Sequence, residues 1–153
     1  GEYALGPLRR RIFPYEHLFR AVNTHALLEK AWSGDAHHDA ANLLAALRAG
    51  RCYIAYDGLR EGAGFDFSLH LEAGATVPMG ASVRWPVEGW LRACVPGRAR
   101  LELVHNGRVV ATQHGRALAW RVRAPGSYRL MARRWYAGRW RAWLLSNAIR
   151  IGA

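Results

Sequence analysis

A chain of 153 residues, 51% apolar and 11% aromatic, can hold one ordinary domain with a helical appendage and bury a real core. No apolar run reaches the about 18 to 20 residues that a bilayer helix requires, and two cysteines, Cys52 and Cys94, exclude a multi-bridge disulfide scaffold. The net charge of +11 is unevenly placed: residues 1–102 carry 12 basic residues and all 11 acids, while residues 103–153 carry ten Arg and no acid. That final third attracts phosphates, nucleic acid or an acidic protein face.

In chain order, Gly1 is preceded by no initiator Met and followed by no charged-then-apolar leader, so the chain is expected to be a piece of a longer protein. Pro14 suits the first turn of a helix, and Tyr15, Leu18, Phe19 and Val22 follow at helical spacing. A second helix is expected after the candidate N-caps Ser33 and Asp35, with Ala36, Ala40, Leu43, Leu44 and Leu47 on one face and Gly50 as its stop.

From Cys52 the period changes to short apolar or alternating runs between turn residues. Strands are predicted at 52–56, 65–72, 82–87, 91–95, 101–105, 109–113, 118–122, 128–135 and 140–149. Asn106-Gly107 predicts a type I′ hairpin turn, and Pro125-Gly126 and Ala137-Gly138 mark further reversals. The fold class read from this pattern is mainly β: an immunoglobulin-like antiparallel β-sandwich preceded by one or two α-helices. Tyr128 in PGSYRL is placed like the tyrosine corner of such sandwiches.

Few residues suggest chemistry. Asp35-Ala36-His37-His38-Asp39 has the letters of a divalent metal site. An N-cap carboxylate is occupied by backbone N–H groups, however, and adjacent His37 and His38 point about 100° apart on a helix, so no ligand role is given to them. His17 and His25 would share a face only if one helix ran through both, and His70, His105 and His114 are not brought together by any spacing. With no nucleophile elbow, phosphate loop or CxxC, no catalytic residue is assigned. Cys52 and Cys94 are expected as buried reduced thiols, with a single inter-strand bridge as the alternative. The segment 133–145 interleaves Arg with aromatics, and Arg133, Arg134, Trp135, Arg139, Trp140 and Arg141 are the candidate anion or partner surface. Strict alternation there sets Trp140, Ala142 and Leu144 on one face and Arg141, Trp143 and Leu145 on the other.

The stretch GPLRRRIFPYEHLFRAVNTHALL, then ALRAGRCYIAYDGL, and the closing WLLSNAIRI together resemble the C-terminal part of bacterial PHP-domain proteins, the polymerase and histidinol phosphatase type of metal-dependent phosphoesterase. The resemblance covers most of the chain but no catalytic motif. It implies that residues 1–30 are the tail of a preceding β/α barrel, 31–50 a connector helix and 51–153 an accessory β-sandwich. Divalent metals are then expected in the barrel, with no cofactor in this chain, and Asp35-Ala36-His37 lies past the place of the family's last Asp-x-His motif. The implied function is a non-catalytic accessory domain packing on the enzyme domain or positioning its substrate or partner. An Arg/Trp-rich nucleic-acid or polyanion binding module is the alternative. Expected partners are the chain's own N-terminal PHP-type domain and a second copy through the first helix, with nucleic acid ranked below them and no membrane. The cysteine count fits a cytoplasmic protein.

Overall fold

The computed structural model describes residues 2–5, 8–11 and 19–152. The chain is mainly β. Twelve strands are described: β1 (Glu2–Leu5), β2 (Leu8–Arg11), β3 (Asn23–Ala26), β4 (Cys52–Ala55), β5 (Asp66–Leu71), β6 (Thr76–Pro78), β7 (Ser82–Arg84), β8 (Gly89–His105), β9 (Arg108–Arg121), β10 (Gly126–Tyr136), β11 (Arg139–Ser146) and β12 (Ile149–Gly152). One helix, α1 (Ala36–Arg48), separates β3 from β4. Strands β1 and β2 pair antiparallel with each other. Of the first predicted helix, Phe19, Arg20 and Ala21 are helical, whereas Pro14, Tyr15 and Leu18, with His17, lie outside the described residues. Among the described residues no helix is long and apolar enough to cross a membrane.

The sandwich-like architecture grows from one long hairpin. Residue runs 91–95 and 101–105, expected as separate strands, are one 17-residue strand, β8, and 109–113 and 118–122 are the 14-residue β9. Asn106 (φ 47°) and Gly107 (φ 83°) make the turn between them with both residues left-handed, as the type I′ geometry demands. The N-terminal half of β8 pairs with β5, and its C-terminal half pairs with β10. A register shift between Cys94 and Ala99 lets the hairpin bend from one layer into the other. Outward from β10 the order is β11, β4, β3, and outward from β5 it is β6. Among the described residues every pairing is antiparallel except that of β12 with β7. Alternating inward residues, among them Phe67, Leu69, Leu91, Leu101, Leu103, Leu130 and Trp143, form one buried cluster between the layers.

The tyrosine corner is present: Tyr128 donates its hydroxyl to the Ala124 carbonyl at 2.7 Å. Ala137 (φ 49°) and Gly138 (φ 76°) form the β10–β11 turn. Strand β3 was not anticipated, because Asn-Thr-His-Ala has no alternating apolar signal. Its place beside β4 is held by side chains, as Asp57 accepts from Asn23 Nδ2 and from His25 Nε2, both at 2.8 Å.

Helix α1 is capped as expected, with the Asp35 carboxylate accepting the His38 N–H at 2.8 Å. Its buried side is not the apolar stripe. Asp39 and Ala46 are buried, while Leu44 and Leu47 are exposed. Asp39 is drawn inward because its carboxylate gathers the Ser33 N–H, the Ser33 hydroxyl and the Gly34 N–H at 2.8 to 3.0 Å. The thiol expectation also needs correction: Cys52 and Cys94 are both free, but Cys52 is half-buried and Cys94 exposed, since each falls on the outward phase of its strand.

Candidate binding surfaces

The β10–β11 hairpin carries the six candidate residues, and its register divides them. Trp135 lies opposite Trp140, Arg133 opposite Ala142, Arg134 opposite Arg141 and Tyr136 opposite Arg139. Side chains alternate along each strand, so Arg133, Trp135 and Trp140 share the outer face of the sheet, and Arg134, Arg139 and Arg141 fall on the other side. A register shift between Ala132 and Arg133 puts an extra residue, Trp143, into β11. The expected face of Arg141, Trp143 and Leu145 therefore does not exist. Trp143 and Leu144 are both buried and Leu145 is exposed, because a bulge sets two consecutive side chains on one side.

On the outer face the indoles of Trp135 and Trp140 meet edge to face, centroids 5.6 Å apart and planes at 74°. Both are open to solvent, at 61% and 36% of their surface. The ring of His114, on the neighbouring β9, lies 5.6 Å from that of Trp140, and the Arg100 guanidinium carbon is 6.0 Å from the Trp140 centroid. The buried carboxylate of Glu102 pairs with Arg100 Nε through one oxygen and Arg133 Nε through the other, each at 2.9 Å. Both contacts are made through Nε.

Across the hairpin, Arg134 donates to the Arg98 carbonyl at 2.9 Å and its guanidinium lies 5.2 Å from the Trp143 ring centroid. Burial, aided by the neighbouring positive charge of Arg60, lowers the Arg134 pKa below its ordinary value; the side chain stays cationic. Arg98, His114, Gly115, Arg134, Trp135 and Trp140 surround an open depression of about 310 Å³.

A second surface lies where β3, β4 and β11 present their outer face. One row runs Thr24, Ile54, Leu145, Met131, and Tyr56 follows Ile54 by two positions. Val22 is 58% exposed and Ile54 47%, with Tyr56, Leu145 and the nearby helical Phe19 also open. A groove of about 480 Å³ adjoins them, lined by Val104, Arg129, Met131 and Leu145 among others.

The remaining polar clusters are internally satisfied. The Asp57 carboxylate accepts from Asn23, His25 and the Gly62 N–H, and His25 stacks on Tyr53 at 4.8 Å. Burial pushes the Asp57 carboxyl up, but those bonds outweigh it and leave it below the usual range. On β5, the Ser68 hydroxyl is 2.8 Å from Asp66 and 3.2 Å from His70 Nε2. The serine stands between the acid and the imidazole, so the carboxylate does not orient the histidine as a nucleophilic relay requires. His105 stacks on Tyr128 and bonds to the Pro125 carbonyl. His37 and His38 are exposed on α1, and among the described residues no three His, Cys, Asp or Glu side chains converge as a metal site. Sequence reasoning missed Glu102 and His114 as parts of the first surface, because only the register of β8, β9 and β10 brings them beside residues 26 or more positions away. Comparison of the chain with protein-family models, with curated proteins and with solved structures finds no match in any of the three.

Proposed function

We propose that the chain is a non-catalytic accessory module of a PHP-type metal-dependent phosphoesterase, and that it packs on the enzyme domain through the outer face of β3, β4 and β11. The reading joins the sequence resemblance to one structural observation: the apolar row of Val22, Ile54, Tyr56 and Leu145 stands open beside the connecting segment. Exposed contiguous apolar surface of this kind marks a docking face in a well-packed domain, and a covalently attached neighbour reaches it at high effective concentration. Under this reading the expected division holds, with 1–30 as the barrel's tail, 31–50 as connector and 51–153 as sandwich, and with residues 23–26 lending the sandwich its edge strand. Divalent metals and the phosphoester chemistry belong to the enzyme domain.

The test compares backbone hydrogen exchange of this chain alone and of the longer protein encoded by its reading frame. Protection gained at Val22, Ile54, Tyr56 and Leu145 in the longer protein supports the docking, as does an Asp-x-His motif encoded just upstream of Gly1. Unchanged exchange at all four positions sinks it. Sedimentation of the chain alone separates the rival occupant, a second copy covering the same face.

A further inference from the structure

We propose that the outer face of the β10–β11 hairpin, with the adjoining parts of β8 and β9, binds single-stranded nucleic acid, stacking bases on Trp135 and Trp140 and holding phosphates on the surrounding arginines. The inference is independent of the docking face, which lies farther along the same sheet.

Three observations carry it. The two indoles pack edge to face and are exposed side by side at the end of the sheet, Trp135 more than Trp140. The cations around them are in excess. Among the described residues Glu102 is the one acid paired with them, it is shared by Arg100 and Arg133, and Arg98 and Arg134, which line the depression beside the indoles, form no ion pair. The hydrogen bond from Arg134 Nη1 to the Arg98 carbonyl and the Nε contacts of Arg100 and Arg133 hold these three guanidiniums in place, which lowers the entropy lost on binding a phosphate. Finally, the depression of about 310 Å³ between Arg98, His114, Arg134, Trp135 and Trp140 is open, and Gly115, which also lines it, has nothing within 4 Å of where a Cβ would be. This is room for a flat base with its phosphate rather than for a folded partner.

An unpaired strand is the polyanion that uses both halves of the site. Duplexes keep their base faces stacked inside the helix, and sulfated polysaccharides carry no bases, so neither offers the tryptophans a base to stack on. Aromatic stacking contributes about 1 to 3 kcal/mol per base, or about 5- to 150-fold in affinity.

The experiment is fluorescence anisotropy of the full chain with a labelled oligothymidylate of about 12 nucleotides, titrated over a range of salt. Binding that weakens steeply with salt is expected, with Trp135→Ala and Trp140→Ala each reducing affinity by about 5-fold or more and Trp90→Ala, an exposed tryptophan at the far end of β8, leaving it unchanged. Arg98→Ala is expected to lower the salt slope by about 0.7, the share of one phosphate contact on a single strand. Trp135→Phe keeps a stacking face and is expected to retain most of the affinity, which separates loss of stacking from loss of fold. No binding at about 50 mM salt overturns the proposal. So does binding that the tryptophan variants leave intact, or that heparin matches with equal affinity, since charge alone would then account for it.

Discussion

The indole Nε1 of Trp143 donates to the backbone carbonyl of Arg60 at 2.6 Å, joining β11 to the loop after β4 across 83 residues of sequence. The β11 bulge is what turns this ring inward. Trp143 is fully buried, and Arg134 covers it from the open end of the layers. Replacing it with Phe removes the only N–H that reaches this carbonyl from the ring and leaves a gap where the larger indole packed. Trp143→Phe is expected to lower stability by about 2 to 4 kcal/mol, read as a reduced urea midpoint at unchanged slope.

Asp57 ties β3 to the sheet, and its folded carboxyl lies below the usual range. A depressed carboxylate contributes stability that is complete above its unfolded pKa, about 3.9, and is lost as pH falls through the folded value. Asp57→Asn is therefore expected to cost about 1 to 3 kcal/mol at pH 7. The deficit should shrink below pH about 4, as the wild-type carboxyl also becomes neutral. Parallel unfolding curves at pH 7 and pH 3 check this, and an equal deficit at both refutes it.

Gly80 has φ 91°, and a Cβ there would run into the Ala49 and Gly50 carbonyl groups where the end of α1 meets the turn before β7. Both the left-handed backbone and the backbone contact oppose a side chain, so neither a rotamer change nor a small shift relieves the clash. Gly80→Ala is expected to destabilise by at least about 2 kcal/mol in thermal unfolding. Gly138→Ala, at a turn with open space around it, should cost only about 1 kcal/mol.

Tyr128→Phe removes one part-buried hydroxyl bond, to Ala124, and keeps the stacking of the ring on His105. A loss of about 1 kcal/mol in chemical denaturation is expected, with the spectroscopic signature of the folded state unchanged.

The sequence made the turns most legible, because Asn106-Gly107 and Ala137-Gly138 supply left-handed residues between alternating strands. The N-cap at Asp35 and the tyrosine corner were likewise visible, each being a contact between residues three or four positions apart. What escaped depends on distant partners. Residue runs 91–95 and 101–105 read as two strands, yet they are one strand, β8, with a register shift between Cys94 and Ala99 where β9 pairs alongside. Strand β3 has too few apolar residues to announce itself and relies on Asp57, 34 residues from Asn23. In the candidate site, the aromatic and basic composition of the β10–β11 hairpin was plain. The division of its six residues between two sides required the register, and the clamp on Arg133 required Glu102, 31 residues upstream.

The bent β8–β9 hairpin has a consequence for how the chain acquires its shape. Its strands are adjacent in sequence and joined by a two-residue turn, so closing it incurs little loop entropy, whereas β4 must find β11 across some 90 residues. A hairpin formed early would offer one edge, along β8, on which β5 and β10 assemble as the two layers. Neither layer is then a separate folding unit, and the molecule should unfold as a single cooperative transition in which both layers are lost together.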